Sequence, residues 1–231
     1  MFAMSTGLTH PPELLKNDWV YGVLRRRIRD LELPPGAPLR KDELSLEFGV
    51  SRAPISEAIT RLADEGLVDV FPQHGSFVAE IRAQDVREGL FIRFGLETEA
   101  MRLLAISRTA ELMAELDANI AAQAAALDAD DLRRFQDLDE DMHNTIFSAV
   151  NFPRVQGFLD SARAQLDRIR PLTLPVKGRP LEALNEHRWM VEALRRRDAE
   201  FAASAVRAHL VAVSEAVEVQ LLRLLPSMSQ K

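Results

Sequence analysis

The sequence predicts a mainly α protein. An N-terminal winged helix-turn-helix occupies residues 13–80, and an all-α antiparallel bundle occupies residues 84–225. Two observations carry this division. Between Glu43 and Val78, two short helical runs meet at Gly49, and two strand-like runs then flank Pro72-Gln-His-Gly75. From Gln84 to Leu225 apolar residues recur only at helical spacing, with no strand-like alternation and no Gly-rich loop.

In chain order, residues 1–12 read as a loosely attached tail. A helix over 17–31 follows, with Val20, Val23, Leu24, Ile28 and Leu31 along one side. The Leu33-Pro-Pro-Gly-Ala-Pro38 segment ends it and leads to the helix-turn-helix. There, Leu44 and Phe48 are i,i+4 partners on a helix stopped by Gly49, which tolerates the left-handed conformation. Ser51 is placed to N-cap the next helix, and Pro54 falls in its first turn, where a missing N–H costs little. Ile55, Ile59 and Leu62 repeat along that helix until Gly66. Strands over 67–71 and 76–78 form the wing. Six helices are expected beyond the 80–84 junction, over 84–107, 110–127, 131–150, 153–170, 180–196 and 199–225. Asp198 is the N-cap of the last, and 171–178 is the longest internal loop.

Length and composition narrow the function classes. A chain of 231 residues suits one large or two modest domains. It has no cysteine, which excludes disulfides and thiolate chemistry and fits a reducing cytoplasm. No run approaches the roughly 20 apolar residues needed to span a bilayer, and the N-terminus lacks a signal-peptide pattern, so a soluble cytoplasmic protein with no membrane partner is expected. The net charge of −6 is unusual for a nucleic-acid binder, and residues 13–82 hold ten Lys or Arg against twelve Asp or Glu. Binding to DNA would therefore depend on segregated charge, with Arg25, Arg26, Arg27, Arg29, Arg40, Lys41, Arg52, Arg61 and His74 available for a basic face.

Ser51-Arg52, Pro54, Glu57-Ala58, Arg61-Leu62, Glu65-Gly66-Leu67 and His74-Gly75 resemble, in that order, the GntR family of bacterial transcription regulators. Ser56 stands where that family often has Arg. The resemblance implies a recognition helix in the major groove, entered by Ser51 and Arg52. Arg52 is the candidate for a bidentate guanine contact or a phosphate clamp, whereas Arg40, Lys41 and Arg61 are candidate phosphate contacts. Arg61 reads equally as a solvated helix residue. His74 and Gly75 belong to the wing tip.

In the bundle, Asp139 and His143 are i,i+4 on one helix, and His187 and His209 each lie on the apolar side of their own helices. Three histidines and one carboxylate thus aim inward from three helices. They read as a site for a divalent metal ion (Zn, Ni, Mn or Fe) or else as separate hydrogen-bonded core histidines. Asp139 with His143, Glu186-His187 and Arg207-Ala-His-Leu210 resemble the metal-binding positions of the FadR-type C-terminal (FCD) domain. That resemblance implies a metal on Asp139, His143, His187 and His209, with open positions for a small carboxylate. Arg93 faces inward among Gly89, Leu90, Leu96 and Ala100, and needs an anion: Glu97 at i+4, or the effector.

The expected protein is a FadR-subfamily, ligand-responsive repressor that binds a palindromic operator as a homodimer and responds to a small organic or sugar acid. A metal-sensing regulator and a metal-dependent enzyme are the alternatives, although no His-Glu-x-x-His helix is present.

Overall fold

In the computed structural model, residues 13–173, 176 and 178–228 are described. The expected tail and His10 lie outside them. The chain divides into two compact units, residues 1–81 and 82–231.

The first unit holds α1 (Glu13–Arg29), α2 (Lys41–Phe48), α3 (Arg52–Asp64), β1 (Val68–Phe71) and β2 (Gly75–Val78). Its core joins Val20, Leu24 and Ile28 of α1 to Leu44 and Phe48 of α2 and to Ile55, Ala58, Ile59 and Leu62 of α3. Gly49 closes α2 at φ 63°, as its tolerance predicts. The strands pair antiparallel, Val68 opposite Val78 and Phe71 opposite Gly75, and Pro38 adds an isolated bridge to Phe77.

Two expectations fail here. The first helix ends at Arg29, and Leu31 takes a left-handed φ of 57° instead of extending the apolar face. Ser51 occupies the N-cap position of α3, but its hydroxyl makes no capping hydrogen bond. The N3 residue is Pro54, which has no N–H to donate, so one of the two usual capping partners is missing.

The second unit holds α4 (Ala83–Ser107), α5 (Ala110–Asp128), α6 (Leu132–Val150), α7 (Pro153–Asp167), α8 (Arg170–Thr173), α9 (Arg179–Arg196) and α10 (Ala199–Met228). Side-chain caps start three of these. Thr109 accepts from Leu112 N at 3.2 Å, Asp131 from Arg134 N at 2.9 Å and Asp198 from Phe201 N at 2.9 Å. The predicted helix over 153–170 instead stops at Asp167, and a short α8 begins at Arg170 and runs into the expected loop. Pro171 explains the break, because its ring in a continuous helix would clash with the carbonyl of residue 167. It is tolerated at the second position of α8. Met101, Leu104, Leu116, Met142, Met190, Leu194, Val206 and Leu210 form the main core. No described helix is long and apolar enough to cross a membrane.

Gly89 lets the backbones of α4 and α7 approach closely. A Cβ there would sit 2.2 Å from the Ala162 carbonyl oxygen. Gly89→Ala must therefore push two backbones apart and is expected to destabilise this unit by roughly 1–3 kcal/mol. A denaturant titration that leaves the midpoint unchanged would contradict this packing.

Candidate metal centre and nucleic-acid interface

His143 on α6, His187 on α9 and His209 on α10 converge at the centre of the second unit. They are 2, 0 and 1 % exposed. One ligand nitrogen from each lies within 4.8 Å of the others, and the ring centroids are 4.8–5.7 Å apart. Each Nδ1 is engaged by a different helix. His143 Nδ1 lies 3.0 Å from Glu97 Oε2 of α4, His187 Nδ1 lies 2.8 Å from Gln123 Oε1 of α5, and His209 Nδ1 lies 2.8 Å from Glu186 Oε2 of α9. All three Nε2 atoms are buried without a hydrogen-bond partner among the described residues. An imidazole held at Nδ1 with Nε2 bare is the usual form of a metal ligand, so the residues fit a divalent ion.

Asp139 reaches the same point. Its Oδ1 lies 3.2 Å from His187 Nε2, and its Oδ2 is ion-paired with Arg170 of α8. The break between α7 and α8 is what brings Arg170 there, and the sequence reading had no place for it.

Electrostatics match this geometry. Burial pushes His143 down to about 4 and His187 to about 3, the latter helped by the nearby Arg170 charge, and it holds His209 well below the usual range. All three are neutral near pH 7, as ligation requires. Burial alone would raise Glu97 and Glu186. For Glu97 this is outweighed by Arg93, His143 and Arg163, which hold it well below the carboxylate range. For Glu186, hydrogen bonds from His209 and Arg179 bring it to about 2.

Arg93 is 1 % exposed and takes the first of its two expected partners, with Nε 2.6 Å from Glu97 Oε1. Arg163 of α7 shares that carboxylate, Nη2 to Oε1 at 2.8 Å, and reaches Asn144 Oδ1 through Nη1 at 3.1 Å. Arg93 Nη1 and Arg163 Nε remain buried without a hydrogen-bond partner among the described residues. Two orphaned guanidinium donors on arginines that share the Glu97 carboxylate with His143 suit an anion. Arg163 and Gln123 were not expected from the sequence as parts of the site, and Glu97 was expected only as a partner of Arg93. For Arg163 the available signal was its place between Leu159 and Leu166 on the buried side of α7.

In the first unit, Arg40, Lys41, His74 and Gly75 line one cleft of about 920 Å³ between the start of α2 and the wing. Arg52 is exposed and ion-paired with Asp42, which lines the same cleft, and Ser51 is its neighbour in sequence. Arg61 is elsewhere, 2.6 Å from Asp18 and stacked 3.9 Å over the Tyr21 ring. The basic face is not a free one. Arg40 pairs with Glu43, Arg27 with Glu47 and Arg25 with Glu65. The Arg40–Glu43 pair is exposed and that of Arg27 nearly so, whereas Arg25–Glu65 is half-buried. Exposed pairs are worth roughly 0–1 kcal/mol, so phosphates can replace the first two.

A winged helix-turn-helix followed by a helical unit with a buried polar centre is the build of a DNA-binding transcription regulator. The comparisons agree. The profile of bacterial regulatory proteins of the gntR family matches residues 16–78, and that of the FCD domain matches residues 88–212. The chain is 32% identical over 201 residues to the HTH-type transcriptional repressor RspR of Escherichia coli K12, covering 87% of this chain and 88% of that protein. It is 35% identical over 199 residues to an HTH-type transcriptional regulator in an unstable DNA locus of Streptomyces ambofaciens, covering 86% and 84%. In structure it resembles E. coli McbR/YncC, with a TM-score of 0.80, 20% identity and coverage of 89% and 98%. A GntR regulator from Rhodococcus sp. RHA1 matches with a TM-score of 0.74, 20% identity and coverage of 88% and 98%. Those two likenesses speak for the fold alone. The chain belongs to the GntR family of bacterial regulatory proteins and carries an FCD domain.

Stability should depend on pH through the three histidines. An unfolded histidine takes its proton near pH 6.5, whereas His143 and His187 do so only near pH 4 and 3. Between those limits the unfolded chain binds more protons, so stability falls as pH falls. Chelator-treated protein is expected to have a lower denaturant midpoint at about pH 5 than at about pH 7.5.

Proposed function

We propose that this regulator is a homodimeric repressor of the FadR subfamily whose helical unit holds a divalent metal ion and senses a small organic or sugar acid. The observation that carries this reading is a cluster of three histidines with bare Nε2 atoms, one of which shares the Glu97 carboxylate with Arg93 and Arg163, each arginine keeping an orphaned donor. His143, His187 and His209 hold the ion through Nε2, with Asp139 Oδ1 beside them and Arg170 balancing the other carboxylate oxygen. The metal, of the Zn, Ni, Mn or Fe kind, supplies open positions for a carboxylate oxygen. Arg93 Nη1 and Arg163 Nε then bind the rest of the acid. To receive it, Arg93 must share itself between Glu97 and the effector. An acid that binds one arrangement of α4 and α7 more tightly than another shifts the population between them, and that shift is the signal.

Two features support a homodimer. Phe91 on α4 and Phe158 on α7 are 80 and 71 % exposed, and both line one apolar groove of about 690 Å³ with Phe94, Leu96 and Val155. Large exposed aromatic patches mark association surfaces. A dimer also presents two recognition helices to a palindromic operator. The repressor reading is supported by the name of RspR.

Thermal unfolding of metal-loaded and chelator-treated protein against a panel of small carboxylates tests the pocket. An acid at about 100 times its Kd should add about 2.7 kcal/mol to the metal-loaded form only. His187→Ala is expected to abolish the metal-dependent part. Stabilisation by metal with no response to any acid would favour a metal sensor, and turnover of an acid would favour an enzyme.

On the DNA side, Arg52 contacts a base edge or phosphate, and Arg40, Lys41 and Arg61 hold phosphates, with His74 and Gly75 approaching the backbone from the wing. Arg52→Ala should cost about 1–3 kcal/mol of operator affinity, whereas Lys41→Ala should weaken binding on all sequences and reduce the salt slope by about 1. Fluorescence anisotropy titrations at several salt concentrations distinguish the two effects. Unchanged operator affinity in Arg52→Ala would overturn this docking.

A further inference from the structure

Two of the three histidines have a carboxylate at Nδ1, and a carboxylate can only accept. The third, His187, faces Gln123, whose amide can present either an oxygen or an NH2. The environment of Gln123 removes that freedom. Its Nε2 donates to Asn119 Oδ1 at 2.7 Å and to the Met142 sulfur at 3.6 Å. A thioether is an acceptor only. Asn119 is oriented in turn, because its Nδ2 donates to the Leu138 carbonyl oxygen at 2.9 Å, and a carbonyl cannot donate. The chain therefore runs one way, from the backbone of α6 through two amides of α5 to α9. Gln123 is 0 % exposed, so bulk water cannot satisfy a reversed amide. Helix spacing builds the relay: Asn119 and Gln123 are i,i+4 on α5, as are Leu138 and Met142 on α6. Asp139 and His143, the next residue in each case, turn to the histidine cluster instead.

We infer that Gln123 is a positioning residue that makes His187 carry its proton on Nδ1 and leave Nε2 bare toward His143 and His209. Without it, the rival tautomer has its own reward, since a proton on Nε2 would lie beside the Asp139 carboxylate, whose Oδ1 is 3.2 Å from that nitrogen. That form cannot ligate through Nε2. The consequence for metal affinity rests on the metal reading proposed above, but the tautomer itself does not.

The test uses full-length protein with nitrogen-labelled histidine. Side-chain nitrogen NMR of chelator-treated protein, with His187 assigned by its absence in His187→Asn, reads which nitrogen holds the proton. The expected wild-type result is a proton on Nδ1. Gln123→Leu should move the His187 proton wholly or partly to Nε2 and lower zinc affinity roughly 10–100-fold, while the helical circular dichroism stays the same. Gln123→Glu keeps an acceptor at the same place and should restore both the tautomer and tight zinc binding. If Gln123→Leu does not fold, Asn119→Ala at a half-buried position removes the outer link and should shift the tautomer in the same direction. A wild-type proton on Nε2, or a tautomer indifferent to these changes, overturns the inference. Wild-type protein that binds no zinc yet keeps the Nδ1 proton overturns the metal proposal instead and leaves the positioning role standing.

Discussion

Burial of three imidazoles around one point is the constraint on which the helical unit depends. A buried imidazole must give its polar atoms partners, and here each finds one on another helix. His143 of α6 is tied to Glu97 of α4, His187 of α9 to Gln123 of α5, and His209 of α10 to Glu186 of α9. Those three ties hold five helices in register around the site. They also use up every Nδ1, so the Nε2 atoms are the ones left bare. The same desolvation keeps the rings neutral near pH 7, and a low-dielectric site of neutral imidazoles is chemically ready for a cation.

Glu97 is the second point on which several parts depend. One carboxylate, 2 % exposed, holds Arg93 from its own helix, Arg163 from α7 and the Nδ1 of His143 from α6. Removing one member of such a buried group would strand the others, a far larger penalty than the group's net contribution to stability. The arrangement still leaves donors of both arginines unused. In the proposed mechanism an acid would complete the hydrogen bonding of α4 and α7, the two helices whose outer sides carry the exposed Phe91 and Phe158.

The first unit solves a different problem. Its charge is balanced toward acid, yet it belongs to a family that binds DNA. Arginines expected to form a bare basic face are neutralised by neighbouring carboxylates, Arg52 by Asp42, Arg40 by Glu43 and Arg61 by Asp18. These pairs lie at or near the surface and are weak in water. They limit the long-range attraction of the free protein for any polyanion and leave affinity to short-range contacts.

Much of this was legible in the sequence because it rests on local rules. Helical period, the Gly49 stop, the Asp198 cap and the wing turn around His74 depend on residues within a few positions of each other. The inward aim of Asp139, His143, His187 and His209 also follows from period alone. Local rules failed where a second condition intervened. Ser51 reached the cap position, but Pro54 offered no N–H there, and Pro171 stopped a helix four residues before itself. What only the tertiary structure decided is which distant side chains meet. Arg163 and Arg93 share Glu97, Arg170 closes on Asp139, and Gln123 receives the Nδ1 of His187 from 64 positions away. Periodicity tells which face of a helix is buried, but the partner across the gap depends on how helices cross, and that is set by packing of the whole unit.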